Sequence, residues 1–326
     1  MPTIDDAARR LAELLSGGAH DLSDPSASDL DFLPVIEVKP LAPGPAPADC
    51  WAVDGGQAMV ADARCLQVVA TRAARTRWQD AVCTLEEQGP VAVHVLAGSG
   101  GGPEARRSLA ELEAPVAPGA PVDVNLLRDW SEWRLIARCV EEAEAGAVVL
   151  VDGDLQPDWR IPAHWLTSLL TLAAEREVAL AGITKHSSLA RGGAPLVGQL
   201  EVEARHSLGP RACWWAPVAY RRPEIGPGLL VVVARLDPDA RFAFRLDVAA
   251  DADAPALLGQ LCGVANDAGF PGYPYPLSVA DRLASCPRWL RQEIWGELDS
   301  ALDAAGVAAD VREGAFTDRH SLMERS

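Results

Sequence analysis

The sequence predicts a mixed α/β fold with one predominantly antiparallel side. Three observations carry this. Short β-patterned stretches follow one another closely from Cys50 onward; Ala147–Val151 is a continuous apolar run; and helical patterns flank that run and fill the last part of the chain. Continuous Val and Leu without alternation reads as a strand buried on both faces.

At 326 residues and 49% hydrophobic content the chain is long enough to bury a full core. Its longest apolar runs, Leu229–Ala234 and Ala145–Val151, fall far below the roughly 18 residues of a membrane span. No apolar signal segment follows M-P-T-I-D-D, so a cytoplasmic protein with no membrane partner is expected. Seven scattered cysteines without a C-x-x-C pair read as free thiols. A formal charge of −17 gives no overall basic footprint for nucleic acid. The arginine clusters (72, 75, 77; 221, 222; 282, 288, 291) read as solvated surface.

In order, Thr3 caps a helix with Ile4, Ala7, Leu11 and Leu14 at helical spacing, stopped by Gly17 and Gly18. The Pro-rich Leu41–Ala48 reads as a stiff connector, so residues 1–48 form an N-terminal helical arm and 49–326 the main domain. Strands at Trp51–Val53, Cys65–Thr71 and Val91–Leu96 suggest a meander. Helices are expected at Glu104–Leu112 and Val124–Glu144, then the Val148–Val151 strand, a helix at Pro162–Glu175 and a strand at Val178–Ile183. Strands near Cys213–Trp215, Leu229–Arg235 and Arg241–Val248 precede helices at Ala254–Ala268, Leu277–Ala284 and Trp289–Ala304. This order fits a ribonuclease H-like mixed sheet flanked by helices, with a helical C-terminal region.

The glycines of Gly98–Pro103 lack the Gly-Lys-Ser/Thr of a phosphate loop. Ser99 lies between a strand and a helix, like a nucleophile in a strand-to-helix turn. A serine hydrolase then needs a downstream acid and histidine, and His164, His186, His206 and His320 lack such a context. No metal-binding histidine spacing exists. Carboxylates are better placed. Asp152 ends the V-V-L-V run before Gly153, and Asp54 follows W-A-V before two glycines, so both read as strand-terminal. On neighbouring strands they would share one crevice, and two close anions call for a pKa shift or a cation. Glu132, within the helix preceding the Asp152 strand, is either a third acid at that edge or an exposed residue paired with Arg128. An ordinary Asp-Gly turn is the alternative at Asp54 and Asp152.

A further constellation is F-P-G-Y-P-Y-P-L-S-V-A-D-R-L-A, Phe270–Ala284. Together with W-A-V-D-G-G, L-L-R-D-W-S-E-W, V-V-L-V-D-G-D-L and A-G-I-T-K-H-S, it resembles the NurA-type nucleases across Cys50–Ala284. The resemblance implies a ribonuclease H-like core, metal-dependent cleavage of DNA, usually with Mn²⁺, a homodimer, and a HerA-type hexameric translocating ATPase as partner in end resection. It makes Asp54, Glu132 and Asp152 metal acids, Tyr273 an active-site tyrosine and Lys185 a basic site residue. Asp281 stands where many members carry histidine, either keeping a metal ligand or marking weakened catalysis. Asp54-Gly55-Gly56 and Asp152-Gly153-Asp154 each lack a family serine.

Oxygen ligands suit Mn²⁺ or Mg²⁺, and two such ions about 3.5–4 Å apart can activate water and stabilise both the phosphate and the leaving oxygen. Lys185 would neutralise phosphate charge, and Tyr273 would bond a phosphate oxygen or stack on a base. The competing readings are a catalytically degenerate partner protein of an ATPase and the Ser99 hydrolase.

Overall fold

The computed structural model describes residues 3–16, 21–27, 29–98, 102–117, 119–222 and 227–317. Helix α1 (Ile4–Ser16) starts at a reciprocal cap: Asp6 N donates to Thr3 Oγ1 and Thr3 N donates to the Asp6 carboxylate. Gly17 and Gly18, its expected stop, lie outside the described residues. Short strands β1 (Leu22–Ser23), β2 (Leu30–Phe32) and β3 (Lys39–Pro40) follow.

Next come β4 (Asp49–Asp62), β5 (Leu66–Gln79), β6 (Val82–Gln88) and β7 (Ala92–Ala97). This is the expected meander with one more strand, because β5 is long enough to pair twice: Leu66–Thr71 with β7 and Ala74–Gln79 with β6. Asp80 and Ala81, both at positive φ, make the tight β5–β6 turn.

Helices α2 (Pro103–Glu111) and α3 (Val124–Glu142) lead to β8 (Val148–Asp152), α4 (Ala163–Glu175) and β9 (Ala179–Thr184). Asp123 caps α3 by accepting from Leu126 N. A small hairpin, β10 (Ala190–Arg191) and β11 (Ala194–Pro195), precedes α5 (Leu196–Ser207). The chain continues through β12 (Trp214–Arg221), β13 (Leu229–Arg235), β14 (Phe244–Ala249), α6 (Ala254–Cys262), α7 (Tyr275–Ala284), α8 (Arg288–Ala304) and α9 (Ala309–Phe316).

Among the described residues the main sheet has eleven strands, ordered β2-β12-β13-β14-β9-β8-β4-β5-β6, with β3 beside β12 and β7 beside β5. Strands β4, β8 and β9 are parallel and the flanking pairs antiparallel. Both faces of the middle are covered, as the V-V-L-V run requires. Cys50, Ala52, Val148 and Leu150 pack under α6 and α7, while Trp51, Val53, Val149 and Val151 pack under Leu126, Leu127, Trp133 and Ile136 of α3.

Two expectations change here: helix α6 stops at Cys262 instead of running to Ala268, and Asp54 has a different setting. Asp54 does not end a strand or enter an Asp-Gly turn: β4 runs on through residue 62, and Asp54 pairs with Ala74 of β5. Residues from 1–48 supply β1 to a sheet with β10 and β11, and β2 and β3 to the main sheet's edge beside β12. Arg245 of β14 forms a buried ion pair with Asp24 and another with Asp247. Among the described residues no helix is long and apolar enough to cross a membrane, and no disulfide is formed.

Candidate metal centre

Parallel β4 and β8 pair from Cys50↔Val148 through Val53↔Val151, so the next residues, Asp54 and Asp152, stand side by side where that pairing ends. In-register residues of adjacent strands lie about 5 Å apart and point to the same face. That face is the one under α7, which delivers Asp281. Carboxylate oxygens of Asp54, Asp152 and Asp281 lie within 4.8 Å of one another.

Glu132 comes from α3, on the opposite face of the sheet, and is buried rather than exposed. It reaches β4 over Gly55: a Cβ built there would lie 2.8 Å from Glu132 Oε2. A Cβ on Gly56 would lie 1.9 Å from the Ala284 carbonyl oxygen at the end of α7. The two glycines are therefore gaps through which a helix approaches from each face. No Glu132–Arg128 ion pair forms among the described residues, although Arg128 packs against Gly55 and its positive charge favours ionised Glu132.

Lys185, just past β9, donates from Nζ to Asp152 Oδ2 at 2.7 Å and sits 3.7 Å from Asp281 Oδ1. Tyr273 Oη donates to Asp152 Oδ1 at 3.2 Å, and Lys185 Nζ lies 5.1 Å from the Tyr273 ring centre. Gly55 N donates to Asp54 Oδ1 at 2.7 Å. Asp54, Asp152, Asp281, Lys185 and Tyr273 thus lie together where the β4–β8 pairing ends, while Glu132 lies behind Gly55 on the other face of the sheet. Asp154 turns away, its carboxylate 3.7 Å from the Arg245 guanidinium.

Burial, then the Asp152 and Asp281 carboxylates, push Asp54 up to about 7. Burial followed by the Asp54 charge holds Glu132 well above the usual carboxylate range. Burial opposes the Lys185 ammonium, but its hydrogen bond to Asp152 and the surrounding carboxylates raise it above its ordinary value. Burial, reinforced by Asp152 and Asp54, pushes the Tyr273 phenol far up, so it remains a donor. Three carboxyl groups around one lysine, with Glu132 behind Asp54 and both Asp54 and Glu132 displaced toward protonation, are short of positive charge. An oxygen-only donor set of this kind fits a hard divalent cation.

Of the eight arginines read as solvated surface, Arg72, Arg75, Arg77 and Arg221 are tied into the fold, while Arg222, Arg282 and Arg288 are exposed. Arg75 bridges Glu87 and Glu142, Arg77 holds Asp49, and Arg221 pairs with Asp29. Ser99 lies outside the described residues. The sequence reading passed over the aromatic cavity beside Lys185, lined by Phe242, Phe244 and Phe270; its signal was that three of the chain's five phenylalanines fall within 29 residues.

No protein-family model matches the sequence and no curated protein matches it. Among solved structures, the NurA nuclease from Sulfolobus solfataricus superposes with a TM-score of 0.54 at 14% identity, covering 93% of this chain and 95% of that one. The catalytic domain of human Endonuclease V aligns at a TM-score of 0.40 and 15% identity, over 91% and 99% of the two chains. The superposition on the Sulfolobus nuclease gives this chain the NurA fold, a ribonuclease H-like mixed sheet flanked by helices.

Proposed function

We propose that this protein is a metal-dependent deoxyribonuclease that hydrolyses phosphodiester bonds during DNA end processing, as an exonuclease, an endonuclease or both. The observation that carries this is the convergence of Asp54, Asp152 and Asp281 within 4.8 Å, with Lys185 and Tyr273 on the same carboxylates. Asp54, Glu132, Asp152 and Asp281 would hold Mn²⁺ or Mg²⁺, which when bound supplies an activated water and charge neutralisation at the phosphate. Lys185 stabilises negative charge developing on the phosphoryl oxygens. Tyr273, fixed on Asp152, keeps that carboxylate oriented.

The acidic chain, at −17, is poorly suited to capturing DNA unaided. A homodimer fed by a HerA-type hexameric translocase in the cytoplasm suits that charge. Ile4, Leu11 and Leu15 of α1 are exposed and offer an apolar docking stripe in the N-terminal arm.

Incubation with end-labelled linear DNA tests the reading. Products should form with Mn²⁺ and vanish with chelator. Chelator-resistant hydrolysis would instead favour a serine enzyme. A metal-binding protein that leaves DNA intact, alone and with the translocase, would be the degenerate partner that Asp281 in place of histidine suggests.

A further inference from the structure

Beside the carboxylates lies a cavity of about 880 Å³, lined by Lys185, Tyr273 and Asp281 together with Phe242, Phe270 and the start of α5. Phe270 is 52% exposed and Phe242 47% exposed. Large apolar rings left in water around a concave site mark a ligand surface. Phe270 is not a stray surface residue. Its ring stands edge-on to Tyr273 with centroids 6.1 Å apart, and Tyr273 in turn holds Asp152. The apolar wall is therefore one ring removed from the carboxylates. The Arg241 guanidinium carbon lies 5.0 Å from the Phe242 ring centre, within cation–π range, and places a positive charge beside this wall.

Resting on the nuclease reading, we propose that this cavity is a base subsite: Phe270, assisted by Phe242, stacks the nucleobase next to the cleaved phosphodiester. A base within a duplex is paired and stacked on both faces, and must leave the stack to reach such a wall. The nucleotide at the cut is accordingly taken unpaired. The cavity gives the aromatic face, while Lys185 and the carboxylates handle the phosphate attached to it.

The test measures fluorescence anisotropy of a labelled single-stranded oligonucleotide in Ca²⁺, against the same strand built from abasic residues. Wild-type protein is compared with Phe270→Ala, Phe242→Ala and the double variant, and with Phe270→Leu, which keeps apolar bulk without a flat ring. Stacking of one base implies that Phe270→Ala weakens binding of the base-bearing strand about 10- to 100-fold. Phe270→Leu should recover only part of this, and abasic-strand affinity should stay unchanged. Equal affinity of all variants for the base-bearing strand overturns the subsite. So does a parallel loss on the abasic strand, or absence of wild-type binding to the base-bearing strand. Cleavage in Mn²⁺ separates the two claims. Ring-dependent binding without cutting leaves the subsite and removes the nuclease, whereas cutting that ignores the rings does the reverse.

Discussion

Replacing Asp54 with asparagine isolates the electrostatic strain of the carboxylate cluster. Asn keeps an oxygen for the Gly55 N–H and removes the charge. In the fold the Asp54 carboxyl sits at about 7 against an ordinary 3.8. Between those values the folded chain binds more protons than the unfolded chain, so stability falls as pH rises. At about 1.36 kcal/mol per tenfold change, the gap amounts to about 4 kcal/mol lost by pH 8, shared with the coupled acids around it. Urea denaturation in chelator, from pH 4 to pH 8, reads this directly. The wild type should lose stability across the window. Asp54→Asn should flatten the slope, matching wild type near pH 4 and exceeding it at pH 8. An unchanged slope in the variant would show that Asp54 carries no such charge cost and would undo the electrostatic argument that this cluster binds a cation.

Other perturbations probe the supporting geometry. Gly56→Ala forces a methyl against the Ala284 carbonyl and should cost about 1–3 kcal/mol in urea denaturation, and displacing α7 should lower cleavage with it. Arg245→Met leaves buried Asp24 and Asp247 without their cation, and a loss of about 3–5 kcal/mol is expected in the same assay; a wild-type midpoint would mean the pair contributes nothing. Lys185→Ala should slow DNA cleavage about 100- to 1,000-fold at saturating Mn²⁺, and a wild-type rate would remove it from the site.

What the sequence makes legible is set by how local each signal is. The buried β8 strand is readable because apolar residues on both faces leave an unbroken V-V-L-V run, and Asp152 is conspicuous at its end. The convergence of Asp54 with Asp152 follows once their strands are neighbours. The glycines after Asp54 mislead, because Gly-Gly is also turn chemistry; here they admit Glu132 and α7, contacts made by residues far along the chain. Strand β6 alternates exposed and half-buried positions with only two strong apolar residues, Val82 and Leu85, and so escapes the pattern. Helix α5 hides behind Val197, Gly198 and Val202, all poor helix formers. Arg75 looks like surface charge until β6 and α3 bring Glu87 and Glu142 across, and Arg77 until β4 brings Asp49 beside it.

The central claim is that Asp54, Glu132, Asp152 and Asp281 hold the metal that cuts DNA. Calorimetric titration of Mn²⁺ into wild-type protein and Asp152→Asn, with cleavage of labelled linear DNA followed in the same samples, tests it most directly. Wild-type cleavage should rise in step with Mn²⁺ occupancy, and Asp152→Asn should lose binding and cleavage together while keeping its fold by circular dichroism. A variant that binds Mn²⁺ and cuts DNA like the wild type, or wild-type cleavage that persists in chelator, would contradict the account.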